Sequence, residues 1–210
     1  MLFSTNYFGS IPYFQAIASF DRITIDVHEN YKKQTWRNRT SILESNGPMY
    51  LSVPVIRPKG GRTPVGEVII SDVTNWRKDH WKAIESSYKH APYFFYYGPQ
   101  LKMLIENKEP SLYFFNKHIL KQLLAWLDLK IEVTESKEYL PPEDATDYRI
   151  QLDKKKFELK QKRYIQVFSD KFEFFPNLSI IDLLMNEGPL ARNYLLPKDR
   201  NIANYTDLKA

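Results

Sequence analysis

The spacing of apolar positions changes period several times along the chain. MLFSTNYF reads as a first strand, and a Gly9–Pro12 turn follows it. Pro12 suits the first helical position, because its missing N–H would be unpaired there anyway, so a short helix is expected from about Pro12 to Ser19. From Arg22, RITIDVH alternates apolar and polar residues and reads as a second strand, which completes a β-turn-α-β unit. TWRNRTSIL and MYLSVPVI are strand-like runs separated by ESNGP, whose Asn46-Gly47 pair is a strong hairpin signal. RPKGGRTP reads as a mobile basic loop and VGEVIISD as another strand. After Asp72 the period becomes helical: Trp76, His80, Ile84 and Tyr88 recur every four residues, on a helix that Pro92 must end. Two further helices are expected between Gln100 and Leu129, broken around Glu109-Pro110. KIEVTES reads as a strand, LPPEDATDYRIQLD as an exposed loop, RYIQVFSD as a last strand, and LSIIDLLMNEG as a helix closing at Gly188. The expected fold class is α/β: a single domain with a mixed sheet, an N-terminal β-turn-α-β unit, a β-hairpin and a central helical segment. It should span residues 1–196, with a polar tail over 197–210.

Composition fits this picture. A chain of 210 residues suits one sizeable domain, and 15% aromatic residues supply many rings for core, pocket or interface. No apolar run approaches the roughly 18 to 20 residues of a membrane-spanning helix. The N-terminus lacks signal-peptide features, so a cytoplasmic location is expected. The absence of cysteine removes disulfides and thiolate chemistry together. Net charge is +5, and much of it lies in KKKFELKQKR, residues 154–163, which reads as a peripheral connector.

Several sites are excluded by inspection: a Gly-rich phosphate loop of the P-loop or dinucleotide type, a nucleophile elbow, HExxH and an EF-hand loop. No metal, flavin or NAD is therefore expected, and His28, His80, His90 and His118 show no ligand spacing. His80 shares its stripe with Trp76 and Tyr88, so it can line a cleft, and imidazole is suited to proton transfer near neutral pH. The alternative is a hydrogen-bonded histidine at the core edge. Asp26 sits just past the end of a strand, where open α/β sheets place ligand groups, and is the second catalytic candidate. ENYKKQTWRNR brings Lys33, Arg37, Asn38 and Arg39 together, a set able to hold phosphate or carboxylate, with a solvated sheet face as the alternative. Gly9 and Ser10 are expected to form one wall of the same site, with the amides of Tyr13 and Phe14 facing outward, unless the aromatics around the turn simply pack. Asp182 and Glu187 are further acids, Asp182 alternatively a buried partner of an arginine.

In order, YFGSIPYF, YKKQTWRNR, NGPMYLSVPV, WRKDHWKAIESSYKHAPYF and FFPNLSIIDLLMNEGP resemble the WbqC-like family of bacterial proteins, from about residue 5 to residue 195. The resemblance implies a bacterial cytoplasmic protein associated with gene clusters for O-antigen lipopolysaccharide and other surface polysaccharides. It carries over no reaction, and nominates Asn38, Arg39, His80, Tyr88, Asn177, Asp182, Asn186 and Glu187 as positions within family-like blocks. The opening unit also resembles nucleotidylyltransferase-like folds, but FGSIPYF stands in place of their HxGH signature. The first functional expectation is a transferase that modifies or transfers an activated, nucleotide-linked sugar. In it Arg39 and Asn38 hold an anionic substrate and His80 moves a proton. The alternative is a non-catalytic binding or assembly protein of the same pathway that uses the aromatic surface Tyr93–Tyr97. Nucleic acid is not expected as a partner, and a homo-oligomer is left open.

Overall fold

The computed structural model describes residues 1–141, 147–152 and 161–197. The chain enters through β1 (Leu2–Phe3), passes through helix α1 (Ile11–Ile17) and returns as β2 (Arg22–Ile25). The first strand is shorter than MLFSTNYF suggested, because the backbone turns at Tyr7-Phe8, where Phe8 adopts a φ of 43°. Ser10 caps α1, with its Oγ accepting from Tyr13 N at 3.4 Å, so the helix starts one residue before Pro12. β1 and β2 pair in parallel, and the far side of β2 pairs in parallel with β7 (Glu132–Glu135), giving the order β1-β2-β7. Because all three strands run the same way, their carboxyl ends meet along one edge.

The hairpin forms as expected from β3 (Arg39–Glu44) and β4 (Gly47–Ser52). Glu44 pairs with Gly47, so the loop is Ser45-Asn46, and Gly47 opens the return strand at a φ of 110° that other residues rarely adopt. A second antiparallel pair joins β5 (Val55–Ile56) to β6 (Ile69–Ile70). VGEVIISD yields only this two-residue strand because Val65–Glu67 winds into a 3-10 turn, with Gly66 N donating to Val27 O at 2.9 Å. The protein is mixed α/β in a single domain, and among the described residues parallel and antiparallel pairings are divided among three small sheets.

The helical segment comprises α2 (Trp76–Tyr88), α3 (Phe94–Glu106) and α4 (Leu112–Trp126). Trp76, His80, Ile84 and Tyr88 are all buried, so the four-residue stripe faces the core. α3 begins six residues earlier than the sequence suggested and accommodates Pro99 inside it. Ser111 caps α4 after the break at Glu109-Pro110. Two expectations fail further on. LPPEDATDYRIQLD is not wholly an exposed loop: Asp147 and Arg149 are buried, and α5 (Tyr148–Gln151) follows Asp147. RYIQVFSD is not a strand. Tyr164–Gln166 runs without a ladder partner, because the Gln166 side chain takes both hydrogen bonds of Phe175 at 2.9 Å, where a neighbouring strand would have paired. α6 (Ile180–Glu187) is capped by Ser179 and stops at Gly188, whose φ is 55°, and α7 (Arg192–Leu195) packs against α1. Residues 154–160 of the basic segment, and all of the tail except Pro197, lie outside the described residues.

Candidate functional site

The N-terminal turn is an internal junction. Phe8 and Gly9 are buried, and the Phe8 carbonyl accepts from two hydroxyls, Thr40 Oγ1 at 2.8 Å and Ser179 Oγ at 2.9 Å. Ile180 N donates to Gly9 O, Ile11 N to Leu178 O and Tyr7 N to Trp36 O, each at 2.9 Å. The amides of Tyr13 and Phe14 are used by Ser10, so they do not face outward. Gly9 is required by its own chain: a Cβ there would lie 2.8 Å from the Tyr13 ring. These contacts over-determine the left-handed Phe8, a conformation that costs about 1 to 3 kcal/mol in a bulky residue.

His80 lies inside the molecule, not on a cleft wall. It is 5% exposed, its Nδ1 is 2.8 Å from the Tyr7 hydroxyl, and the rings of Tyr7 and Trp76 lie against it. Burial lowers its pKa to about 4, opposed only in part by the Ser52 backbone and by Asp79, so the imidazole is neutral at pH 7. Tyr88 reaches further inward, donating to Asp182 at 2.9 Å and accepting from Leu43 N at 3.2 Å. Asp182 is fully buried, and its partners are Tyr88, Tyr164 and Gln166 where an arginine had been an alternative. Burial raises its pKa even though these three donors favour the carboxylate.

The edge formed by the carboxyl ends of the parallel strands carries a buried polar network. Asp26 accepts from Ser136 Oγ at 2.8 Å and from the amides of His28 and Glu29, and pairs with Arg149. Arg149 also grips Asp147. Beside them Arg37, 1% exposed, forms a two-pronged pair with Glu29 at 2.9 and 2.6 Å and donates to Ser4 Oγ at 2.6 Å. Arg37 precedes β3, whose first residue is Arg39, and its guanidinium is spent inside the protein, so it does not join Arg39 in an anion site. Arg39 lies on the hairpin with its guanidinium 4.9 Å from the Tyr50 ring, and Asn38 is buried with Nδ2 donating to Val53 O at 2.8 Å. Lys33 and Asn177 are exposed. Asn186 bonds back to Asp182 O, and Glu187 faces Tyr194. The nominated residues thus fall into separate places: the interior junction, the strand edge, the hairpin and the ends of α6.

An open concavity lies elsewhere, in a groove of about 730 Å3 between α2 and the second half of α3. Five basic side chains line it, Arg77, Lys78, Lys82, Lys102 and Lys108, against the acids Asp72, Glu85 and Glu106. Arg77 is committed: it pairs with Asp72, donates to Asn107 O at 3.0 Å and lies over the Trp76 ring. Lys102 sits 4.0 Å from Glu106 and 5.6 Å from the centre of the Trp81 ring, which stacks on Phe94. Among the described residues, Lys78, Lys82 and Lys108 form no ion pair within 4 Å. These positions were missed. Their signal is the i, i+4 repeat of Arg77 with Trp81 and Lys78 with Lys82, which turns this face roughly a third of a turn away from His80. Among the described residues, no three His, Asp or Glu side chains converge as a metal site, and no helix is long and apolar enough to cross a membrane.

An α/β domain whose aromatic N-terminal turn is locked between a hairpin and a C-terminal helix, with a basic groove beside its central helices, defines the class. A model of the WbqC-like protein family matches residues 5–167, and the chain belongs to that family. It is also 28% identical over 219 residues to the uncharacterized protein Rv1507c of Mycobacterium tuberculosis, covering 91% of this chain and 94% of the relative. No solved structure matches significantly.

Proposed function

We propose that the protein binds a nucleotide-linked or similarly phosphorylated sugar in bacterial surface-polysaccharide assembly, such as that of O-antigen, and serves its modification or transfer. The observation that carries this reading is the groove between α2 and α3. Three lysines with no ion-pair partner among the described residues line a cavity of a size that suits a small-molecule ligand, beside an indole ring. Unpaired cations concentrate anions, and phosphate oxygens accept charge-assisted hydrogen bonds from lysine. In a transfer reaction Glu85 is the carboxylate available as a base, since Asp72 and Glu106 already pair with Arg77 and Lys102. One observation favours a second, non-catalytic reading: His80, Asp26 and Asp182 are enclosed and none lines this groove. Thermal-shift measurements with a panel of nucleotide sugars, nucleotides and inorganic phosphate test the proposal. A specific ligand raises the melting temperature by mass action, and Lys78→Glu/Lys82→Glu abolishes the rise. No stabilisation by any of them, or a rise indifferent to the double substitution, sinks it. Turnover lost in Glu85→Gln with binding retained would separate enzyme from binding protein.

A further inference from the structure

On the opposite side of α3 lies a second groove of about 500 Å3, between α3 and α4. Its chemistry differs from that of the basic groove. Gln100, Asn107, His118 and Gln122 contribute amides and an imidazole, and Met103 and Trp126 contribute apolar surface. Among the described residues no lysine or arginine lines it, and its one carboxylate side chain, Glu106, also borders the basic groove.

The indole is held in place. Trp126 Nε1 donates to Gln100 Oε1 at 3.3 Å, and the ring packs edge-on against Tyr97 with centroids 5.3 Å apart. Neutral amides offer both donors and acceptors, the complement of a hydroxyl, which also donates and accepts. A fixed indole with an exposed methionine beside it offers a flat apolar surface for the C–H face of a sugar ring. The volume falls within the range of small-ligand sites.

We propose that the α3–α4 groove binds a neutral pyranose, the sugar portion of the ligand whose phosphates occupy the basic groove across α3. His118 and Gln122 are its hydrogen-bonding side chains and Trp126 its stacking surface. The proposal rests on the preceding reading only for the phosphate end. The shared border at Glu106 gives the two grooves a common rim over which one ligand can pass.

Saturation-transfer NMR tests it, with the methyl glycosides of glucose, galactose, mannose and N-acetylglucosamine as neutral probes, and UDP and UDP-glucose as phosphorylated ones. At least one glycoside should receive saturation from the wild-type protein. That signal should fall at least fivefold in His118→Ala/Gln122→Ala, two changes at side chains that are not buried, and persist in Lys78→Glu/Lys82→Glu. UDP should show the reverse dependence. Glycoside binding without UDP binding supports the sugar site and sinks only the reading of the basic groove. No transfer to any glycoside, or transfer unchanged in His118→Ala/Gln122→Ala, overturns the proposal whatever UDP does.

Discussion

The enclosed His80 makes a quantitative prediction about acid stability. An exposed histidine in the unfolded chain titrates near 6.5, whereas burial holds His80 at about 4 in the folded protein. Between these values the unfolded state binds the proton and the folded state does not, so stability falls as pH drops from 6.5 towards 4 and is fully present above 6.5. At 1.36 kcal/mol per unit, the difference amounts to roughly 3 kcal/mol across the window, and about 2 kcal/mol of it is lost by pH 5. Asp182, with its raised pKa, acts in the opposite direction, so the effect is read by difference. Urea unfolding at pH 7.5 and pH 5.0 should show the wild type losing about 2 kcal/mol more than His80→Gln, whose amide oxygen can still accept from Tyr7. The ring signals of His80 should titrate below pH 5. A titration near 6.5, or the same pH dependence in both proteins, would refute the burial argument.

Three further outcomes are expected. Arg149→Met leaves Asp26 and Asp147 buried without their cation and should cost about 3 to 5 kcal/mol in urea unfolding, while Asp26→Asn added to it should cost less than the sum of the two. Gly188→Ala places a Cβ 2.4 Å from the Tyr93 ring at a φ of 55°, and a loss of at least about 1 to 3 kcal/mol should appear as a lower melting temperature; no change would mean that the α6–α3 junction yields easily. Ser179→Ala removes one hydroxyl from Phe8 O and the cap of α6, for a loss of about 1 to 2 kcal/mol by the same assay.

Legibility in the sequence followed the range of the forces involved. The hairpin, α2 and α6 were legible because turn chemistry and four-residue periodicity act within a few positions. Arg149 was not, because its polar, proline-rich surroundings suggest a loop while its partner Asp26 lies 123 residues away. RYIQVFSD alternates like a strand, but the Gln166 side chain satisfies the neighbouring backbone in place of a ladder. At the N-terminal turn, a glycine that admits a ligand and one that admits a neighbouring ring look alike, and Gly9 admits Tyr13. Likewise Tyr88 and Asp182, nominated for a ligand, bond to each other. The basic groove needs α3 laid beside α2, and no pattern within a few positions brings its lysines together around a cavity.

The central claim is that ligand binds between α2 and α3 and not at the N-terminal turn, and amide and indole chemical-shift mapping with UDP-glucose tests it most directly. The account predicts that the Trp81 indole and the amides around Lys78, Lys82 and Lys102 shift in a saturable way, while those of Gly9, Ser10, Asn38 and Arg39 stay in place. Saturable shifts centred on Gly9, Ser10, Asn38 and Arg39, with the α2–α3 groove unchanged, would contradict it.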